Sequence, residues 1–369
     1  MVAAKARESF RLRLSAVTPF LVGSGRELGP LDYTITVNPR SGAPLLRMID
    51  TERFLAESPL SEEKKLEVIE KRTSGSLDRY SRYVLSCTFR PLPDGLRLRE
   101  FSRGADGMPC VPASAVRGML RTVALYASLS KSPQLVQQTV AAAAERHWQR
   151  DHAGDRFERA GLGESRETDA LRALSVGESA PLVNDDLKAF EVAALTPQDG
   201  PLRVKSMLYV EAVAPTANVA FEFPVRLDPS LLESGHGAAL RSSASLLDAL
   251  RQFSAALVDV ERRFYRDLGA REHARLFERV VEAGAGRAIL PLGFGGGWLA
   301  RTVGLLLGPL DLDRLAPLLS PGRRYYGHRN SPVFPKSRRW VFDGGRPSMP
   351  FGWVAVENPD PGYLEKADG

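Results

Sequence analysis

The sequence predicts an α+β chain of two domains, each a β-sheet with helices on one face. Three observations carry that reading. Apolar and polar residues alternate in several short segments, the period-two pattern of half-buried strands. Between them, apolar residues recur at spacings of three and four, as on amphipathic helices. A polar stretch over 150–169, carrying Gly154, Gly161 and Gly163, interrupts both patterns. It sets the expected boundary, with a first domain over 1–165 and a second over 166–369.

The elements follow in order. Residues 9–18 alternate Phe10, Leu12 and Leu14 with Ser9, Arg11, Arg13 and Ser15, a strand. Thr18-Pro19 leads into Val22-Gly23-Ser24-Gly25-Arg26, read as a loop whose glycines allow close backbone approach. Residues 31–37 and 45–50 read as strands, and Thr51 and Ser61 open two helices with acidic first turns. Segments 83–89 and 96–101 are expected strands around the Pro-Asp-Gly turn at 93–95. A helix over 112–129 buries Val116, Met119, Leu120, Val123 and Ala127 and turns Arg117 and Arg121 to another face. A second helix covers about 134–149. Strands are expected at 171–176, 206–213 and 218–227, then helices over about 239–267 and 270–283. In the first of these, Leu246, Leu250, Phe253, Leu257, Val260 and Phe264 form a core stripe. Ala288-Ile289-Leu290 is a short strand entering a glycine loop, and strands at 338–343 and 351–357 close the order. No repeat of 20–50 residues occurs, so a solenoid is not expected.

Composition excludes several classes. The 369 residues are 43% hydrophobic and 25% charged, values of a folded chain rather than a disordered one. Two cysteines, Cys87 and Cys110, cannot build a disulfide framework. No run of 18 apolar residues occurs, and the charged start lacks a signal-peptide core. A cytoplasmic protein with no membrane partner is therefore expected. The net charge is +6, and only nine of the 50 basic residues are Lys. That arginine excess fits RNA phosphates and bases, and equally a GC-rich codon bias. Its placement says more. Residues 321–347 hold seven basic residues against Asp343 alone, interleaved with Tyr325, Tyr326, Phe334 and Trp340. Such a stripe is an electrostatic footprint for nucleic acid, or a solvated basic loop.

The sharpest local feature is Gly293-Phe294-Gly295-Gly296-Gly297-Trp298, with an apolar helix expected behind it holding Arg301. Such a loop can aim backbone N–H groups at an anion, helped by the helix dipole. It is neither a Walker loop nor a dinucleotide fingerprint, because the Lys-Ser/Thr and the required Gly spacing are missing. RNA backbone is the expected anion, and a tight structural turn is the alternative. No zinc-like Cys or His spacing occurs, so no metal and no cofactor are expected. His328, among Tyr325, Tyr326 and Arg329, is the one histidine set as an acid–base group for RNA cleavage would be.

Together these pieces resemble a known group, the RAMP superfamily, and within it a Csm subunit of the type III-A CRISPR effector complex. Leu12–Ile35, with Pro19, Gly23-Ser24-Gly25 and Pro30-Leu31-Asp32-Tyr33, is similar to that subunit's opening. Val111-Pro112-Ala113-Ser114 through Arg121-Thr122 is similar to the superfamily's helix start, with Ala113 where Gly is usual. Leu171–Ser179 is similar to a family strand, with Gly177-Glu178 in place of Ser-Asp. The glycine loop and Pro335–Trp353 also match. The resemblance implies two ferredoxin-like (RRM-like) domains with inserted helices. It also implies a non-catalytic subunit that binds the 3′ part of the guide RNA (crRNA), caps the filament and recruits host nucleases for 3′-end maturation. Guide RNA, target RNA and other Csm subunits would be its partners. No aspartate here matches the target-cleaving loop aspartate of related filament subunits.

The expected RNA-binding residues are Gly23, Ser24, Gly25, Arg26, Arg117, Arg121, Gly293, Phe294, Gly295, Gly296, Gly297, Arg301, Lys336, Arg338 and Arg339, with no catalytic residue among them. Phe294 and Trp298 offer stacking surfaces, and an open sheet face is expected to hold the strand. Two other readings stand beside this one: a RAMP endoribonuclease acting on repeat RNA, and an assembly protein whose basic stripe meets acidic partners.

Overall fold

The alternation at the start of the chain builds the first strand. The computed structural model describes residues 7–71, 74–145, 154–198, 200–215, 219–233, 235–319 and 334–359. In it β1 (Glu8–Ala16) buries Phe10, Leu12 and Leu14 and turns its arginines outward. The chain then forms β2 (Gly23–Leu28), β3 (Tyr33–Val37), β4 (Pro44–Ile49), α1 (Thr51–Glu57), α2 (Glu62–Lys71) and α3 (Ser74–Leu77). Next come β5 (Ser81–Cys87), β6 (Leu98–Phe101), α4 (Ala113–Leu129), α5 (Pro133–Glu145) and α6 (Asp155–Leu162). They are followed by β7 (Leu174–Val176), β8 (Leu187–Pro197), β9 (Leu202–Val213) and β10 (Ala220–Leu227). The last elements are α7 (Ser243–Asp267), α8 (Arg271–Ala283), β11 (Ala288–Pro291), α9 (Pro309–Leu319), β12 (Arg338–Asp343), β13 (Arg346–Pro350) and β14 (Trp353–Glu357).

The strands form two sheets, so the α+β expectation holds. The first is antiparallel, in the order β11-β14-β1-β10-β7. Chain order through β1, α4, β7, β10, α7–α8 and β14 makes a split β-α-β pair, the ferredoxin-like arrangement. Leu12 faces Phe223 and Leu14 faces Phe221 across β1 and β10. All four side chains are buried, in one core with Phe253 and Leu257 of α7. Truncating any of these phenylalanines to alanine would cost about 3–5 kcal/mol. The second sheet runs β2-β6-β9-β8-β5-β4-β3, with the β12–β13 hairpin added along the end of β8.

The expected boundary at 165/166 does not separate the sheets. β1 takes its partners from β10 and β14, while β8 and β9 join β5 and β6 of the first half. Residues 17–22 carry the chain from one sheet to the other and are pinned from several sides. Val17 and Thr18 N–H groups donate to Trp353 O, Val213 N–H to Phe20 O, and Gly352 N–H to Pro19 O. The stretch read as a linker contains α6, whose Phe157 and Leu162 pack into the core beside α4. Gly161 is required there, since a Cβ would stand 2.5 Å from the Leu125 side chain.

Some expected elements differ. Residues 23–26 belong to the irregular edge strand β2, not to a loop. The strands flanking the Pro-Asp-Gly turn do not pair with each other: β5 pairs with β8 and β6 with β9. No α-helix starts directly behind the glycine loop; residues 297–301 are turns and Val303–Leu306 only a short 3-10 helix, so the expected helix dipole is not there. Among the described residues no helix is long and apolar enough to cross a membrane.

Candidate nucleic-acid interface

The chain segments that should meet RNA converge beside the crossover. A cleft of about 710 Å³ is lined by Gly23, Gly25 and Arg26 of β2, Arg121 of α4, and Gly293, Phe294 and Arg301. A second cleft of about 550 Å³ is lined by Gly295–Gly297, Trp298, Lys336, Arg338 and Arg339. The glycine loop is the wall between them. The loop and the basic segment 336–339 therefore share one side of the molecule.

The reason for the glycines is packing between backbones. Gly293 has φ +68°, and a Cβ there would overlap the carbonyl oxygen of Leu21. At Gly295 a Cβ would stand 2.5 Å from Phe351 O and 2.7 Å from Gly352 Cα. Phe294 N–H donates to Leu21 O at 2.7 Å, and Leu292 N–H to Gly352 O at 2.8 Å. The expectation that these glycines free N–H groups for an anion is thus corrected. At Gly293 and Gly295 the missing side chains let the loop dock on residues 21–22 and 351–352. Gly296 and Gly297 are less confined; no atom lies within 4 Å of a Cβ at Gly297. Arg301 donates back to Gly293 O and otherwise stands exposed on the first cleft.

The cations divide into structural and available ones. Ser24 Oγ donates to Glu100 Oε2 at 2.9 Å, and Arg26 Nε lies 3.9 Å from the same oxygen. Glu100 is buried, with Arg82 and Arg103 also within 4 Å, so β2 is tethered to a charged cluster beneath the cleft. Beside it, buried Glu211 accepts from Tyr83 Oη at 2.5 Å, Phe101 N–H and Arg103. Burial holds the Glu211 carboxyl above its ordinary range, against the pull of Arg103. Arg121 is ion-paired with Glu158 of α6. Arg117 lies outside both clefts, its Nη2 donating to Leu171 O at 3.1 Å. Arg338 is a structural residue: it pairs with buried Glu261 at 2.6 Å, donates to Pro335 O, and stacks over Phe264. Arg117, Arg121 and Arg338 thus each have a protein partner, and of these three only Arg121 and Arg338 line a cleft.

Sequence reasoning missed Arg99. Its guanidinium carbon lies 4.5 Å from the Phe294 ring centre, and that of Arg339 lies 4.3 Å from the same centre. Such contacts contribute about 0.5–2 kcal/mol each. Arg99 stands between buried Leu98 and Glu100 of β6, on the same side as exposed Arg97, so alternation marks it as outward-facing and does not by itself single it out. Trp298 packs against Gly304 and meets Phe334 edge-on at 5.0 Å. The expected open sheet face offers no aromatic platform, since the outward residues of β1 and β10 are Ser9, Arg11, Arg13, Glu222 and Pro224, among others. Glu222 pairs with both arginines there, at 3.2 and 2.6 Å.

Glu178 has a different role from a ligand contact. Its carboxylate accepts the Ala113 N–H at 2.9 Å and so caps α4 from β7's end, where Pro112 supplies no side-chain cap. His328, Arg323, Arg324, Arg329, Tyr325 and Tyr326 lie outside the described residues. Among the described residues no group of three or more His, Cys, Asp or Glu side chains is placed to hold a metal ion.

No protein-family model matches the sequence, and no curated protein does. Solved structures do. A chain of the cryo-EM structure of a Csm-crRNA-target RNA ternary complex in a type III-A CRISPR-Cas system aligns with a TM-score of 0.69 and 21% identity. The match covers 95% of this chain and all of that one. Csm5 of T. onnurineus aligns with a TM-score of 0.64 and 20% identity, over 93% of this chain and 99% of its own. The fold is a Csm fold. Both clefts lie where its two sheets meet, and the resemblance read from the motifs agrees with this architecture.

Proposed function

We propose that this chain is an RNA-binding subunit of a type III-A CRISPR effector complex. In this role it holds the 3′ part of the guide RNA, caps the backbone filament against neighbouring Csm subunits, and helps recruit host nucleases for 3′-end maturation. The observation that carries the proposal is the convergence of Arg26, Arg99, Arg301, Lys336 and Arg339 on two clefts joined at the glycine loop, within a Csm fold. A groove of cations tracks a ribose-phosphate backbone without reading sequence. The role is non-catalytic. The acids lining the clefts, Glu27, Glu100 and Glu261, are engaged with arginines rather than poised for proton transfer.

The test is the affinity of the full chain for a labelled single-stranded oligoribonucleotide across a salt series. Log K should fall steeply with log salt, by about 0.7 for each phosphate neutralised. Arg26→Gln and Arg301→Gln should each lower that slope, alike for all sequences. A flat salt dependence would instead favour an acidic protein partner. Specific scission of repeat RNA, lost in His328→Ala, would favour an endoribonuclease.

A further inference from the structure

We infer that the guanidiniums of Arg99 and Arg339, both over the Phe294 ring, form a seat for one phosphate of a ribonucleotide strand passing between the two clefts. The inference rests on the RNA-binding reading and names a contact point within it. Arg99 comes from β6 and lines the first cleft; Arg339 comes from β12 and lines the second. Two strands that are not neighbours in the sheet thus send arginines to one ring on the loop dividing the clefts.

Both arginines are incompletely satisfied. Arg99 Nε and Arg339 Nη1 are buried without a hydrogen-bond partner. Buried polar groups in folded proteins nearly always have one. Among the described residues neither guanidinium is ion-paired with a carboxylate, whereas Arg338, the next residue in β12, is paired with Glu261. Two like charges are therefore gathered at one apolar ring with no counter-charge. Burial, with Arg99 nearby, pulls the Arg339 guanidinium below its ordinary value, the response of a cation lacking its anion. The ring fixes the planes of both forks, and a guanidinium fork matches phosphate oxygens in pairs. A phosphate diester supplies the missing acceptors and the missing charge together.

The test compares the full-length wild type with Arg99→Gln/Arg339→Gln and with the control Arg271→Gln/Arg275→Gln. The control removes two charges from exposed positions on α8. For an oligoribonucleotide, the Arg99/Arg339 variant should lose about tenfold in affinity. Its salt slope should drop by about 0.7, the value for one phosphate, with a smaller change in the control. Wild-type affinity and slope in the Arg99/Arg339 variant would overturn the seat while leaving RNA binding intact.

If the wild type binds no RNA, the broader reading fails, and inorganic phosphate decides the seat separately. Phosphate should raise the melting temperature of the wild type and the control but not of the Arg99/Arg339 variant; equal shifts in all three overturn it. Should the glutamine variant fail to fold, Arg99→Lys and Arg339→Lys keep the charge and lose the fork. A diminished phosphate shift in them supports the seat, and an unchanged one refutes it.

Discussion

Replacing Gly293 by alanine tests whether the glycine loop is a packing device. The residue sits at φ +68°, in the left-handed region. An L side chain costs about 1–2 kcal/mol there. The new Cβ would also overlap Leu21 O, a backbone atom of the pinned crossover that cannot rotate away. The loop must then lift, breaking the 2.7 Å bond from Phe294 N–H. Leaving that donor unpaired costs about 1–3 kcal/mol more. The expected destabilisation is about 2–5 kcal/mol. Gly297→Ala is the internal control, with φ +59° and no atom within 4 Å of its Cβ. It should cost only the conformational part. Urea unfolding followed by tryptophan fluorescence measures both, with Trp298 and Trp353 close by as reporters. If Gly293→Ala is no less stable than Gly297→Ala, the docking argument is wrong. Lifting the loop also draws Phe294 from Arg99 and Arg339, so RNA affinity should fall in the first variant more than in the second.

Four further outcomes are expected. Glu178→Ala should cost about 1 kcal/mol of unfolding free energy by removing the distant cap of α4, with Glu178→Gln recovering part of it. Arg338→Ala should destabilise by about 3–5 kcal/mol, because it strands buried Glu261. Lys336→Ala should lower the salt slope of RNA binding, whereas a joint 336/338/339 variant would confound folding with binding through Arg338. For Glu211 the sign is set by its raised pKa: the folded state keeps that proton to higher pH than the unfolded chain. Its contribution therefore falls as pH rises from the ordinary carboxylate range through the raised value. Unfolding measured against pH should be flatter there in Glu211→Gln; an unchanged profile would show that Glu211 titrates normally.

Much of the fold was legible because local patterns were strong. The alternation in 9–15 and the stripe from Leu246 to Phe264 each reflect one buried face, so β1 and α7 were readable. β8 was not, since its residues Ala189, Val192, Ala193, Ala194 and Leu195 are buried in near succession and leave no alternation. The boundary read at 165/166 does not part the two sheets, because the polar residues of 155–162 are the exposed face of α6 and not a break in tertiary structure. At the site, residue types converged as expected, but their partners were invisible. Nothing in sequence tells Arg338, paired with Glu261, from Arg339, which is not. That distinction depends on which side of β12 faces α7.

The crossover at 17–22 has a consequence for how the polypeptide is made. β1 is made before its neighbours β10 and β14, which lie some two hundred and more than three hundred residues downstream. Until Trp353 arrives to take its place against Thr18, the first sheet lacks β14 and one edge of β1 has no partner. Pairings between such remote segments are slow to form. Synthesis stalled ahead of β12 would thus yield a polypeptide with both sheets incomplete, rather than one finished half and one missing half.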